Sequence, residues 1–463
     1  MSMGRMKPKQ GELWVATSEI RTPGHPFFKK LNEVFTAHDF DRKVEELCRP
    51  YYAERNGRPS IAPGLYFRML MIGYFEGIGS ERGLAWRCED SLSLKAFLGL
   101  GAAETTPDHS SLSIVRRRLP VEVFRAVNKL VLGILKEAGL LKGRALALDA
   151  STMDANAAMR SIVRKDTNES YSGYIERLAK EAGEPAPTRE AQARFDRRRK
   201  DRTTSNKDWE STTDTDARIT RTKDGRTHLA YKPEHAVDVD TGAIVAATLN
   251  AADISDHETS TATIVRVVEN FEHLDLPSKD FTIVADKGYH SEAVIAGCVV
   301  AEIRTCISEP EVRGRRRWKD KSSLARSAFR RNRRRARSDH GKRLMRKRGE
   351  TVERSFAHLL DTGGLRRTYL RGRENNEKRY LAQVSAFNLG IVMRKLCGFG
   401  TPRGLAGALA AFLCALSVLI RRLVVGPRSR LRSAQLAVHG VNRPRRVPAA
   451  RPRARRQASS TGC

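Results

Sequence analysis

Cysteine is scarce and unpatterned. Seven thiols in 463 residues, an odd number with no CxxC pair, exclude a zinc ribbon or a disulfide framework and fit a reducing compartment. Cys298 and Cys306 read as ordinary buried thiols. Long apolar runs are almost as rare. The opening MSMGRMKPKQGELW has no apolar core of signal-peptide length. The longest mostly apolar run, residues 404–420, is 17 residues of mainly Ala, Gly and Leu, closed by Arg421 and Arg422. That is short of the roughly 20 residues that span a bilayer, so 397–426 reads as a packed C-terminal helix and no membrane partner is expected. From position 396 onward there is no Asp, Glu or Lys at all. Residues 427–463 are Arg, Pro, Ala and Ser with little to build a core, and read as a disordered basic tail.

What the chain does have is arginine in blocks. Its formal net charge is +32, from 85 Lys plus Arg against 53 Asp plus Glu. Residues 313–348 carry 18 Lys plus Arg and 2 Asp, and residues 396–463 carry 13 Arg, which together leave the remainder close to neutral. Cationic blocks favour a polyanionic partner, nucleic acid first. An anionic membrane fits less well, because 313–348 shows no amphipathic apolar period.

Between 20 and 140 the apolar spacing is helical throughout, in HPFFKKLNEVF, LYFRMLMIGYFEG and VEVFRAVNKLVLGILKEAG. An all-helical N-terminal domain for DNA binding or assembly is expected there. Helices near 80–90 and 108–118 suggest a helix-turn-helix, with Arg116, Arg117 and Arg118 beside a DNA backbone. From 141 the pattern changes. ALALD is a short strand ending on Asp149, followed by a polar insertion over about 151–227 that reads as a surface excursion. THLAYKPEHAVDV and AIVAATLNA flank Asp240-Thr241-Gly242 as a hairpin. A helix, the strand FTIVAD ending on Asp286, a second helix, a strand AEIRTCI and two late helices follow, to about 396. This α/β order is that of a ribonuclease-H-like mixed sheet flanked by helices: an antiparallel meander, then parallel strands with helices on the faces. In that layout the first and fourth strands are neighbours, which would bring Asp149 and Asp286 together.

Two adjacent carboxylates cannot both stay ionised cheaply without a cation between them, and a pair of hard divalent ions relieves that repulsion while serving phosphoryl transfer. Such a site needs a third acid. In RKRGETVERSFAHLL, Val352, Phe356, Leu359 and Leu360 form the buried stripe, and helical spacing leaves both Glu350 and Glu353 as contenders, with Glu353 preferred. Lys287, Tyr289 and His290 are expected at the mouth of the site, while Asp214 and Asp216 read as loop acids and Asp256 and His257 as helix caps.

With PGLYFRMLMIGYFEGIGSERGLAWRCEDSLSLKAFLGL, LDASTMDANA, IVADKGYHS and RGETVERSFAHLLDTGGLRRTYLRG in this order, the chain resembles the DDE transposases of bacterial insertion sequences over roughly residues 20–395. The resemblance assigns the catalytic and metal-binding acids to Asp149, Asp286 and Glu353. It departs from a common pattern of basic residues around the glutamate, since position 349 is glycine and 360 leucine; Arg348, Arg354, Arg366 and Arg367 are the nearest candidates for phosphate contact. It implies two Mg2+ ions (or Mn2+), double-stranded DNA as terminal inverted repeats and target, a homo-oligomer on paired ends, and a bacterial cytoplasmic, nucleoid-associated setting. The basic block, with Arg315, Arg316, Arg317, Arg333, Arg334 and Arg335, would clamp DNA beside the site. The competing expectations are an inert DNA-binding relative and a simple metal-dependent endonuclease.

Overall fold

The structure is a computed structural model and describes residues 22, 24–53, 60–200, 205–221, 225–311, 321–404 and 416–417. The described residues up to 404 form one compact unit. The expected helix over 397–426 falls largely outside the described residues, and the tail 427–463 entirely so.

Seven helices come first: α1 (Pro26–Ala37), α2 (Phe40–Cys48), α3 (Pro63–Glu76), α4 (Glu81–Glu89), α5 (Leu92–Leu98), α6 (His109–Arg118) and α7 (Val121–Glu137). Their starts are encoded locally. Ser80, Ser91 and Asp108 each accept a backbone N–H of the first turn, at Gly83, Leu94 and Ser111. α5 intervenes between α4 and α6, so those two are not the consecutive pair expected of a helix-turn-helix.

The sheet strands are β1 (Ala145–Ala150), β2 (Met153–Asp154), β3 (Ile162–Arg164), β4 (Trp209–Ser211), β5 (Arg218–Arg221), β6 (Thr227–Asp238), β7 (Ile244–Ala251), β8 (Thr282–Ala285) and β9 (Arg304–Ile307). The remaining helices are α8 (Tyr171–Glu181), α9 (Arg189–Arg198), α10 (Asp256–His273), α11 (Glu292–Val300), α12 (Ser323–Arg337), α13 (Asp339–Phe356) and α14 (Arg373–Cys397). β6 is long enough to pair with β7 along one edge and with β1 along the other, both antiparallel; β8 lies parallel to β1 and β9 parallel to β8. The β6–β7 hairpin turns at Gly242, whose φ of +79° suits glycine. Asp238 fixes that turn by accepting from the backbone N–H groups of Asp240 and Thr241.

The insertion over 151–227 is more ordered than its polarity suggests. β3 and β4 form a separate two-stranded sheet, α8 and α9 pack beside it, and Trp209 is buried against Tyr171 and Tyr174. Few apolar residues suffice: Ile162, Ile175, Ala179 and Trp209 are buried, and the half-buried rings of Tyr171 and Tyr174 cover Trp209. The basic block also holds a helix with a buried stripe: Ala325, Ala328, Phe329 and Asn332 of α12 face inward at three-to-four spacing.

α14 is the spine of the unit. It is buried continuously from Lys378 to Met393 and packs on α3, α7 and β7, so the N-terminal helices and the sheet share one core. A helix buried on all sides must satisfy its polar side chains internally. Asn388 does so by accepting from Ile244 N and donating to Ile244 O, at 3.0 and 2.9 Å, and Ser385 accepts from Asn128 of α7 at 3.1 Å.

Candidate active site at the strand ends

The antiparallel register pairs Asp149 with His235, so their side chains share one face of the sheet. The parallel register sets Ala147 opposite Val284, which carries Asp149 and Asp286 to neighbouring positions at the ends of β1 and β8. α13 packs over β1, β6 and β8 on this face. Its buried stripe runs through Val352, Ser355 and Phe356: Phe356 stacks on His235 with ring centroids 4.1 Å apart, and Ser355 Oγ lies 2.9 Å from His235 Nδ1. Four residues before Val352, on the same stripe, stands Arg348.

Arg348 joins the two aspartates. Its Nη1 donates to Asp149 Oδ2 at 2.9 Å and to Leu148 O at 3.2 Å, and its Nη2 is 4.0 Å from Asp286 Oδ2. The guanidinium is largely buried, Asp149 less so, and Asp286 is about 42% exposed. Arg348 Nε is buried without a hydrogen-bond partner among the described residues. Burial pushes the Asp149 carboxyl above its ordinary range, the Arg348 charge pulls it back, and the nearby Asp286 charge pushes it up again.

The turn bearing Asp286 is held from the opposite face. Asp286 Oδ1 accepts from Gly288 N at 2.8 Å. A Cβ at 288 would sit 2.8 Å from Asp256 Oδ2, so a larger residue there would push that carboxylate aside. Asp256 in turn pairs with Lys232 Nζ at 2.5 Å. Tyr289, expected at the mouth, is instead fully buried and donates to Glu234 Oε1 at 2.9 Å. Glu234 is itself fully buried and also accepts from Thr259 at 2.9 Å and from Thr263. This support was missed in the sequence, although an acid in the alternating strand YKPEHAVD is an available signal of a buried polar network.

Other expected positions divide clearly. Arg116 is turned inward and ion-paired with Glu81, so it presents nothing to DNA, whereas Arg117 is exposed. Arg118 is exposed and lies over the Tyr52 ring. Lys287 is exposed, and His290 packs against Phe329. Arg333 is tied to Glu309 and Arg335 to Thr305 O, while Arg334 is exposed. Arg354 pairs with Glu350, Arg366 pairs with Asp361, and Arg367 is exposed. Arg315, Arg316 and Arg317 lie outside the described residues. Asp214 is more than a loop acid: it is buried, accepts from Tyr231 OH and from Gly372 N, and with Asp216, which accepts from Arg373 N, fastens the insertion to the start of α14. Ser255, not Asp256 or His257, caps α10 through a capping box with Glu258.

Glu353 is one position round the helix from Val352 and is exposed. Among the described residues, no three His, Cys, Asp or Glu side chains are gathered as a metal site. The aspartate pair by itself does fit a hard cation: two carboxylates already face one positive charge, and the guanidinium of Arg348 stands where that charge belongs.

These features define a mixed α/β protein with paired strand-end carboxylates. A Transposase domain (DUF772) matches residues 16–118 and a Transposase DDE domain matches residues 198–389. Together they take in well over half of the chain, which belongs to the DDE transposases of insertion-sequence type. It is thus a transposase, an enzyme class acting on DNA. The DDE match includes Asp286, Arg348 and Glu353 and begins after Asp149. No curated protein and no solved structure matches the chain. Among the described residues, no helix is long and apolar enough to cross a membrane.

Proposed function

We propose that the protein cleaves DNA at the ends of an insertion sequence and joins the freed 3′ hydroxyl to target DNA, using Asp149, Asp286 and Glu353 on a ribonuclease-H-like sheet. The observation that carries this reading is the placement of Asp149 and Asp286 on one face, at adjacent ends of β1 and β8, bound to a single cationic group. The strand order β7-β6-β1-β8-β9, with only β6 antiparallel to β1 within it on that side and β8 and β9 parallel, supports the fold assignment.

Asp149 and Asp286 would hold Mg2+, with Glu353 completing the set when the α13 surface closes over DNA. Divalent ions bound there, two in this reading, supply charge neutralisation and activate the attacking oxygen. The chain's own part is positional. β1 and β8 fix the carboxylates, and the Tyr289–Glu234 and Lys232–Asp256 contacts hold the turn behind Asp286. Arg348, once released from the carboxylates, is placed to meet the phosphate that enters between them. DNA would be engaged as paired ends by an oligomer, with exposed Arg117 and the cationic face of α12 and α13 on the backbone.

A second reading, an inert DNA-binding relative, is favoured by one observation: Glu353 is exposed and, among the described residues, stands outside any three-acid group. Purified protein with labelled terminal-repeat DNA, Mg2+ and a target plasmid separates the two. Cleavage and joining should fall at least ~100-fold in each of Asp149→Ala, Asp286→Ala and Glu353→Ala while end binding persists. Binding without cleavage in the unaltered protein establishes the inert reading, and cleavage without joining a nuclease.

A further inference from the structure

At the opposite end of the parallel strands from Asp149 and Asp286 lies a groove of about 700 Å3. It is walled by the segment leading into β1, the loop between α10 and β8, the start of β9 and the first half of α13. Lys142, Arg144, Lys279, Arg304, Arg343 and Lys347 line it, and among the described residues Asp240 and Asp280 are the acids in its wall.

Part of that charge is compensated. Arg304 pairs with Asp280 at 2.9 Å, Lys347 approaches Asp240 at 3.5 Å, and Lys279 pairs with Glu302 at 3.1 Å. Lys142, Arg144 and Arg343 are exposed and have no carboxylate partner among the described residues. Three uncompensated cations round one concavity repel one another, and an anion with several separated charges relieves that repulsion. α13 links the two ends: Arg343 and Lys347 face the groove, and Arg348, the next residue, touches Asp149. From Ala145 at the groove to Asp149 is four strand steps, roughly 13 Å, which is about four base pairs of duplex rise.

We propose that this groove is a backbone-binding site for double-stranded DNA, taking phosphates about four base pairs from the one that enters between Asp149 and Asp286. The inference rests on the transposase reading and adds a surface that reading does not assign. The site contacts phosphate only, so it contributes affinity and register with little sequence preference.

The test uses the full chain, a random-sequence duplex of about 30 base pairs (roughly 100 Å) and an RNA hairpin, with binding followed by anisotropy across a salt series. Lys142→Ala/Arg144→Ala/Arg343→Ala should weaken duplex binding at least about tenfold near 50 mM salt and flatten the log–log salt slope by about 2 to 3. Asp280→Asn, which removes the negative charge paired with Arg304, should tighten binding and steepen the slope. These positions are exposed, and an unchanged thermal transition certifies each variant. If the unaltered protein binds the duplex and the triple variant matches it in affinity and slope, the groove assignment fails while the transposase reading stands. If the unaltered protein binds no duplex at all, both fail. A triple variant that loses the RNA hairpin but keeps the duplex makes this an RNA site and also overturns the proposal.

Discussion

At the scale of single residues, Arg348 is the position on which the site turns. It is a largely buried cation whose Nε has no hydrogen-bond partner among the described residues and whose terminal nitrogens serve two carboxylates. Removing it leaves Asp149 and Asp286 facing each other with nothing between. Arg348→Gln should therefore lower stability by roughly 2 kcal/mol, less than a fully buried pair because Asp286 is partly exposed. It should also bind Mn2+ about tenfold more tightly in the absence of DNA, a gain of about 1.4 kcal/mol. Calorimetric titration of the DNA-free protein reads the cation affinity directly; an affinity equal to that of the unaltered protein would show that Arg348 does not compete for the carboxylates. Gly349 offers a milder case. It lies inside α13, and a Cβ there would meet only Glu353 Oε1, at 4.0 Å. Gly349→Ala should stabilise the protein by about 0.5–1 kcal/mol in urea unfolding, through the lower helical cost of alanine.

At the scale of elements, the join between α13, α14 and β6 passes through His235. The imidazole lies between Ser355 Oγ and Tyr380 OH, 2.9 and 2.5 Å away, and burial pushes its pKa down to about 3. A histidine held neutral in the fold and free to protonate once unfolded stabilises the fold fully above its ordinary value of about 6.5. That contribution is lost as pH falls from 6.5 toward 3, at about 1.4 kcal/mol per unit. Urea unfolding at pH 5 should show roughly 2 kcal/mol less stability than at pH 7 from this residue, and His235→Gln should remove most of the difference. The Asp214 latch makes a separate claim. Asp214→Ala strips the acceptor from Tyr231 OH and Gly372 N. Limited proteolysis should then cut within 151–227 faster than in the unaltered protein, with a stability loss of about 1–3 kcal/mol.

At the scale of the whole molecule, the positive charge falls in two places: the block 313–348, which includes α12 and most of α13, and the Arg-only stretch from 396 onward. The shared core runs from α1 through the sheet to α14 within the unit that ends at residue 405. Most of the Arg-only stretch follows it. A chain stopped after residue 405 should keep its thermal transition within a few degrees while its DNA binding loses part of its salt dependence. A collapse of that transition would place residues beyond 405 in the core.

Much was legible in the residues alone, and for a physical reason: local signals are local. Periodicity marked the N-terminal helices, Asp240-Thr241-Gly242 marked the hairpin, and the apolar runs ending on Asp149 and Asp286 marked the two strand ends. The insertion was harder to read, because its order depends on three aromatic rings and on Asp214 reaching residues far along the chain. Side-chain direction was harder still. Tyr289 follows an exposed lysine and glycine yet points into the fold, because Glu234 on a distant strand is there to accept its hydrogen bond. Arg116 sits among arginines yet faces Glu81. The sequence by itself determined the N-terminal helices, the central strands and the two aspartates at their ends. Only the tertiary structure decided that an arginine lies between them and that Glu353 faces outward, since both depend on how α13 is rotated against the sheet, and packing against His235 sets that rotation.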